Sequence, residues 1–308
     1  MTIQQLEYIV AVDEHRHFVR AAESCNVTQS TLSAMILKLE SEFDTVIFDR
    51  NAHPVVPTPM GRKIIDQARV ILFNKSQLEE LIFTEKTGVA GSVALGIIPT
   101  IAPYVLPKFL KEVSDNHKEI DLKVSELTTA TITEKLRKAE LDMAILATPL
   151  EEPGILEIPL YYEKFVAYIS PIEAIYEMKE ISSHGMPTEK MWVLQEGHCL
   201  RGQVFNFCES RASALTMYEA GSIDTLIKIV DANGGYTVIP ELHVGLLTES
   251  QLRNIRPLTS PQTVREVSLV FRDDYVREGM LNRIAGIVKK IIPSEMIDAR
   301  LKKFAIRL

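Results

Sequence analysis

The 308-residue chain predicts a helical head, one long helix and an α/β body. Three patterns carry this. Residues 1–62 are dense in helix-start signals, with short apolar-periodic segments separated by a polar turn. From Thr58 a helical apolar stripe runs to Lys86. From Gly91 onward short apolar strands alternate with helices, the pattern of repeated βαβ units in a mainly parallel sheet with ligand chemistry at the strand carboxyl ends.

In the head, Thr2 and Gln5 have capping-box spacing ahead of Leu6, Ile9 and Val10. A second segment carries Phe18, Ala21 and Ala22, and Cys25-Asn26-Val27 supplies a turn. Thr28 is placed to cap a third helix whose Leu32, Ile36, Leu39 and Phe43 keep the 3.6-residue period. That leaves Gln29, Ser30, Thr31 and Ser33 on the other side of its first turn. Short helix, tight turn and polar-fronted helix predict a helix-turn-helix, with Val46-Ile47-Phe48 and Val55-Val56 as the strands of a wing.

Such a motif also serves plain packing, and charge does not decide between the two uses. Residues 1–62 carry Arg16, Arg20, Lys38, Arg50 and Arg62 against Glu7, Asp13, Glu14, Glu23, Glu40, Glu42, Asp44 and Asp49. If the motif reads DNA, backbone N–H groups at the helix start meet phosphate, and Gln29, Ser30, Thr31 and Ser33 bond base edges or phosphates in the major groove. Arg50 on the wing is then the expected phosphate or minor-groove contact.

Thr58 and Pro59 start the long helix, whose stripe is Ile64, Ile65, Ala68, Ile71, Leu72, Leu78, Leu81 and Ile82. At roughly 45 Å it outruns a small domain, so the stripe is expected to be buried by dimerisation, or else against the chain's own second domain. Beyond it, Val93–Ile98, Ile120–Ser125, Leu141–Leu146, Phe165–Ile169, Trp192–Leu194, Tyr236–Ile239 and Val267–Phe271 are predicted strands, enough for two α/β lobes.

The composition, 46% hydrophobic and 24% charged, is that of an ordinary globular protein, and the net charge of −7 argues against non-specific nucleic-acid binding by the whole chain. No signal-peptide pattern opens the chain and no apolar run approaches the ~20 residues that span a bilayer, so a cytoplasmic protein without membrane contact is expected. There thiols stay reduced, and a cysteine pair is more often catalytic, metal-binding or redox-sensing than structural.

Cys199 and Cys208 are nine residues apart, a spacing that suggests a redox switch. In a helix their Cα atoms would be separated by roughly 13 Å of rise, beyond the ~7 Å that a disulfide tolerates, so oxidation would have to unwind the interval. Two unrelated buried cysteines are the competing reading. A zinc site is poorer, since His198, Cys199 and Cys208 supply at most three ligands. Cys199 follows a strand and a loop, which places it near a helix start where the macrodipole favours a thiolate, with His198 and Arg201 as added partners. Thr100 and Thr129 each follow an apolar strand, so their hydroxyls either face the crevice at the strand ends or simply cap helices. Arg265 either approaches the thiol or is an ordinary surface arginine, and Cys25 is expected to be an inert small core residue.

Residues 1–62 resemble the LysR family of bacterial transcriptional regulators through Leu6, Tyr8, Phe18, Ala21, Ala22, Val27, Gln29, Ser30, Leu32, Ser33, Ile36, Leu39, Glu40, Phe43, Phe48, Arg50, Thr58 and Gly61. The likeness spans the chain. Gly96-Ile97-Ile98-Pro99-Thr100, Glu126-Leu127-Thr128-Thr129, Leu141-Asp142 and Gly197-His198-Cys199-Leu200-Arg201 with Cys208 narrow it to the hydrogen-peroxide-sensing members. Two positions depart: Asp44 stands where the family usually has glycine, and Cys25 where leucine is common.

The resemblance implies a winged helix-turn-helix DNA-binding domain (1–62), a dimerising linker helix (58–87) and a redox-sensing effector domain (91–308) that is two-lobed like a periplasmic binding protein. Lobe I would take about 91–161 and 267–300 and lobe II about 162–266, with the chain crossing near Tyr161 and back near Val267. It further implies a homodimer or homotetramer acting on promoter DNA with RNA polymerase, hydrogen peroxide as the signal, and no cofactor. On this likeness Cys199 reacts with peroxide, Cys208 resolves the product to a disulfide, Thr100 and Thr129 hold the peroxide and its water, and the protein is not an enzyme. A LysR-type regulator answering a small carboxylate in the interlobe cleft is the alternative, and a thiol peroxidase is a third possibility that the helix-turn-helix disfavours.

Overall fold

The computed structural model describes residues 1–87, 89–182, 190–194, 220–259 and 264–297. Two compact units result, Met1–Gly88 with Arg137–Glu140, and Val89–Leu136 with Leu141–Leu308.

In the first unit α1 (Ile3–His15), α2 (Phe18–Ser24) and α3 (Gln29–Glu42) form the predicted helical head. The Thr2–Gln5 capping box is present, and Thr28 accepts the Thr31 amide. Leu6, Ile9, Val12, Ala21, Leu32, Ile36 and Leu39 share one buried cluster with Ile65 and Ala68 of α4 (Pro59–Thr87). At 1.5 Å per residue α4 is about 44 Å long. Its start is fixed by Thr58, whose hydroxyl accepts from the Gly61 amide at 2.9 Å. Asp44 adopts φ +47°, the left-handed region where glycine costs least, which gives a physical reason for the usual residue there.

The wing is shorter than predicted. Its strands are β1 (Phe48–Asp49) and β2 (Val56–Pro57), with Val46, Ile47 and Val55 outside the ladder. The cause is Glu40 of α3: its Oε1 accepts from the Ile47 and Phe48 amides at 2.7 and 3.3 Å, while the Ile47 carbonyl accepts from the Thr58 amide at 2.9 Å. These backbone groups are committed before strand pairing begins. The same turn explains Gly61, where a β-carbon would stand 2.0 Å from the Ile47 carbonyl oxygen.

The second unit contains β3 (Gly91–Ile97), α5 (Ala102–Asn116), β4 (Ile120–Glu126), α6 (Thr129–Arg137), β5 (Met143–Thr148) and the fifteen-residue β6 (Ile155–Ile169). There follow β7 (Ile181–Ser182), α7 (Ile223–Asn233), β8 (Tyr236–Pro240), α8 (Glu249–Leu252), β9 (Ile255–Thr259), β10 (Val264–Arg272) and α9 (Glu278–Ile291). Sheet order is β4-β3-β5-β10-β6-β9-β7, with β8 also paired to β6.

This sheet is mixed, which corrects the expectation of a mainly parallel one. β3 is parallel to β4 and β5, but β10 is antiparallel to both β5 and β6, and β6 is antiparallel to β8 and β9. Apolar runs announce strands without giving their direction. Here β6 runs out as one long strand and β9 then β10 run back along it, so both pair with it antiparallel. The first part of β6 pairs with β10 and its last residues with β8 and β9, giving the two-lobed α/β architecture. Tyr161 and Val267 are register partners on these strands. Trp192–Leu194 is not a strand among the described residues: Met191 and Leu194 make single bridges to Tyr236 and Ala220.

Two glycine substitutions separate steric fit from helix propensity. Gly61→Ala is expected to destabilise the first unit by about 1–3 kcal/mol, because backbone must move to admit the methyl group. Gly286→Ala, in α9 with nothing within 4 Å of the added carbon, is expected to be neutral or stabilising by up to about 1 kcal/mol. Thermal and urea unfolding of the two variants beside the parent chain checks both; equal effects would contradict the packing at Ile47.

Candidate functional site

Two regions carry the predicted site residues. On α3, Leu32, Ile36 and Leu39 face the core, so Gln29, Ser30 and Thr31 are exposed at its amino end. Thr28 holds this turn together: its hydroxyl lies 2.9 Å from Ser30 Oγ and 2.8 Å from Thr31 Oγ1. The exposed face continues through Ala34, Leu37 and Lys38, residues that the sequence reading did not single out. They follow from the same period once the buried face is known.

Ser33 and Arg50 have a different placement from the one expected. Arg50 donates from Nη1 to Ser33 Oγ and from Nη2 to Glu40 Oε2, both at 3.1 Å, and its guanidinium lies 5.1 Å from the Phe18 ring centroid. Part of the wing arginine therefore serves to tie the wing to α3. Arg62 is also occupied internally, since Asp13 accepts from Arg62 at 3.0 Å and from Arg69 at 2.9 Å and pairs with Arg16 at 3.0 Å. Cys25 is half-buried at the end of α2, packed against the helical core as a small apolar residue would be.

The second region lies at the carboxyl ends of β3 and β4. Ile97 and Glu126 are register partners on these parallel strands, and Thr100 and Thr129 each follow at the same offset. Neither serves as a simple helix cap. Ile101 precedes α5 without a side-chain cap bond, and at α6 it is Thr128 Oγ1 that accepts from the Thr131 amide, at 3.4 Å. The Thr129 hydroxyl is buried with no hydrogen-bond partner among the described residues. The Thr100 hydroxyl accepts from Arg265 Nη1 at 3.1 Å, and the Thr100 carbonyl accepts from Nη2 at 3.1 Å.

Arg265 is fully buried, which removes the surface-arginine alternative. Its charge is matched by Glu163, also fully buried: Oε2 accepts from Arg265 Nε at 2.9 Å and Oε1 from the Leu242 amide at 3.1 Å. Tyr104 closes the ring, accepting from Arg265 Nη2 at 2.5 Å and donating to Glu163 at 3.0 Å. Burial pushes the Glu163 carboxyl up and the Arg265 charge draws it back; burial also raises the Tyr104 hydroxyl well above its usual range. His243 packs edge-to-face on Tyr104, fully buried, and burial lowers its pKa against the opposing pull of Asp224.

Glu163, Tyr104 and His243 were not identified from sequence. For Glu163 a signal existed: a lone carboxylate set among Leu160, Tyr161, Tyr162 and Phe165 marks a buried charge that needs a partner. For Tyr104 and His243 none did. His198, Cys199, Arg201 and Cys208 lie outside the described residues. The described residues hold no cluster of metal-ligating side chains, and none of their helices is long and apolar enough to cross a membrane.

Comparisons with known proteins agree along the chain. Residues 3–62 match the bacterial regulatory helix-turn-helix protein family of lysR type, and residues 86–289 match the LysR substrate binding domain. The hydrogen peroxide-inducible genes activator of Haemophilus influenzae is 33% identical, over 96% of this chain and 98% of that protein. Full-length OxyR from Pseudomonas aeruginosa, solved as a cysteine variant, superposes with a TM-score of 0.80 at 30% identity, covering 94% of this chain and 98% of that one. A cysteine variant of Corynebacterium glutamicum OxyR solved with H2O2 bound has a TM-score of 0.61 at 26% identity, covering 94% of each chain. With its helix-turn-helix and substrate-binding domain both matched and its likeness to OxyR proteins running nearly end to end, the chain belongs to the LysR family of bacterial transcriptional regulators and is not an enzyme.

Proposed function

We propose that this chain is a peroxide-sensing, DNA-binding transcriptional regulator of the cytoplasm, switched by a reversible Cys199–Cys208 disulfide. The observation that carries the proposal is the pairing of two things. One is the Gly197-His198-Cys199-Leu200-Arg201 motif with Cys208; the other is the pair of threonine hydroxyls at adjacent strand ends, one bonded to a buried arginine and one buried without a partner among the described residues. Relatives named for peroxide induction, and one solved with H2O2 bound, support the signal.

In the chemistry proposed, the Cys199 thiolate attacks one peroxide oxygen. An S–O bond forms, the O–O bond breaks, and the second oxygen leaves as hydroxide and takes up a proton to become water. The Cys208 thiolate then attacks the sulfenic sulfur, forming the disulfide and releasing a second water once protonated. Thr100 and Thr129 would hold the peroxide oxygens. The two sulfurs, nine residues apart, could not bridge across intact helix, so the switch would repack Leu200, Val204, Phe205 and Phe207 and shift one subunit against another. Such subunits would pair along α4, whose Ile71, Leu78 and Ile82 are exposed on one stripe, forming a dimer or tetramer on promoter DNA with RNA polymerase as its partner. A carboxylate effector is less well supported, because the buried cation at these strand ends is already matched by Glu163.

Cys199→Ser is expected to abolish the peroxide response while leaving DNA binding intact, as footprinting with and without peroxide will show; a variant that still switches would sink the assignment of the nucleophile. Cys208→Ser should still form sulfenic acid but retain it, so a dimedone-type probe should label Cys199 for longer than in the parent protein.

At the DNA face, Gln29→Ala is expected to relax sequence preference without altering thermal stability. Arg50→Ala should weaken binding about equally on all sequences and lower its salt dependence, and should also lower the melting temperature, because Glu40 loses its partner. Binding titrations on specific and random duplexes at two salt concentrations, with melting curves alongside, separate these outcomes. Equal loss on both duplexes for Gln29→Ala would place the reading face elsewhere.

A further inference from the structure

We infer that Glu163 is a positioning residue for the peroxide step: it fixes the Arg265 guanidinium so that Thr100 offers its hydroxyl proton to the departing oxygen. The inference rests on the peroxide-sensing function proposed above and assigns a role to a residue outside the sequence motif.

The shape of the Arg265 guanidinium decides where each of its nitrogens points. It is planar, with five N–H donors in fixed directions, so holding two of its nitrogens sets the direction of the third. Glu163 Oε2 lies 2.9 Å from both Nε and Nη2, and Tyr104 bonds to Nη2 and to Glu163, closing the ring on that edge. Glu163 is itself anchored, since its other oxygen accepts from the Leu242 amide at 3.1 Å. With Nε and Nη2 held, Nη1 has one orientation, and it points to Thr100 Oγ1 at 3.1 Å.

That bond decides what Thr100 can do. A hydroxyl has one proton and two lone pairs. Because Thr100 accepts from an always-charged donor, one of its two lone pairs is occupied by Arg265 and its proton is turned away from the guanidinium, toward whatever acceptor stands opposite. When the thiolate forms its bond to one peroxide oxygen and the O–O bond breaks, negative charge develops on the other oxygen, which leaves as hydroxide and becomes water. A preorganised hydroxyl donor next to a buried cation stabilises that charge as it grows. Without Glu163 the guanidinium could turn, and the Thr100 hydroxyl would lose the donor that orients its proton.

The test compares two reactions of the same thiol. Oxidation by hydrogen peroxide needs a donor at the leaving oxygen; alkylation by iodoacetamide expels iodide and needs none. Rates of each at Cys199 are read by peptide-resolved mass spectrometry in the full-length protein and in Glu163→Gln, Arg265→Gln and the double variant. Glu163→Gln is expected to slow the peroxide reaction by about tenfold or more, as misplacement of a catalytic contact does, with alkylation changed less than about twofold. Since Glu163 acts through Arg265, the double variant should be no slower than Arg265→Gln alone.

An unchanged peroxide rate in Glu163→Gln, a parallel fall in alkylation, or losses that multiply in the double variant would each overturn the inference. Glu163→Gln strands a buried guanidinium, so Glu163→Asp, which keeps the charge and shortens its reach, is measured beside it. If only the aspartate variant folds, the same selective slowing of peroxide is expected from it, and its absence overturns the inference equally. A parent protein whose Cys199 ignores peroxide would instead overturn the sensing function itself.

Discussion

A guanidinium and a carboxylate, both withdrawn from water, meet where β6 and β10 run side by side, and the second unit is organised around that contact. Glu163 and Arg265 are register partners on those strands, so the ion pair sits across one ladder position. Moving two charges out of water is costly, and the attraction between them offsets the cost only if the remaining donors and acceptors are also satisfied. Here Thr100, Tyr104 and the Leu242 amide supply those bonds. One pair thus ties together β6, β10, the segment leading into α5 and the turn Glu241–Leu246. Losing either partner would leave an unmatched buried charge, at about 3–5 kcal/mol.

The DNA-binding unit handles charge in a related way. Asp13 is nearly buried and gathers Arg16, Arg62 and Arg69, while Glu40 holds Arg50 and the backbone of Ile47 and Phe48. Much of the positive charge counted in residues 1–62 is therefore spent on joining helices and wing. Gln29, Ser30 and Thr31 at the start of α3, followed by Ala34, Leu37 and Lys38, remain exposed. Recognition by such a face relies on side-chain hydrogen bonds and the helix amino terminus more than on bulk electrostatics. An acidic excess in the head is compatible with that use.

Much of the fold was legible because it depends on short-range rules. Thr2, Thr28 and Thr58 act as helix-start residues as predicted, and Leu32, Ile36 and Leu39 are buried as their spacing requires. The strand positions were largely right; the expected parallel pairing holds for β3, β4 and β5 and fails at β6 and β10, since pairing partners far apart in sequence decide whether neighbours run parallel. The wing ladder was misplaced by one or two residues because Glu40, from a different element, had already taken the backbone donors.

What the sequence determined by itself is the order of elements, the helix-turn-helix with its polar front, and the long helix. These follow from periodicity, capping chemistry and local spacing, each of which acts over a few residues. Only the tertiary structure decided that Arg265 is buried, that Glu163 rather than a ligand neutralises it, and that Thr100 is its acceptor. Thr100 and Arg265 are 165 positions apart. No local rule links residues at that separation; the sheet register brings them together, and the cost of an unpaired buried charge keeps them there.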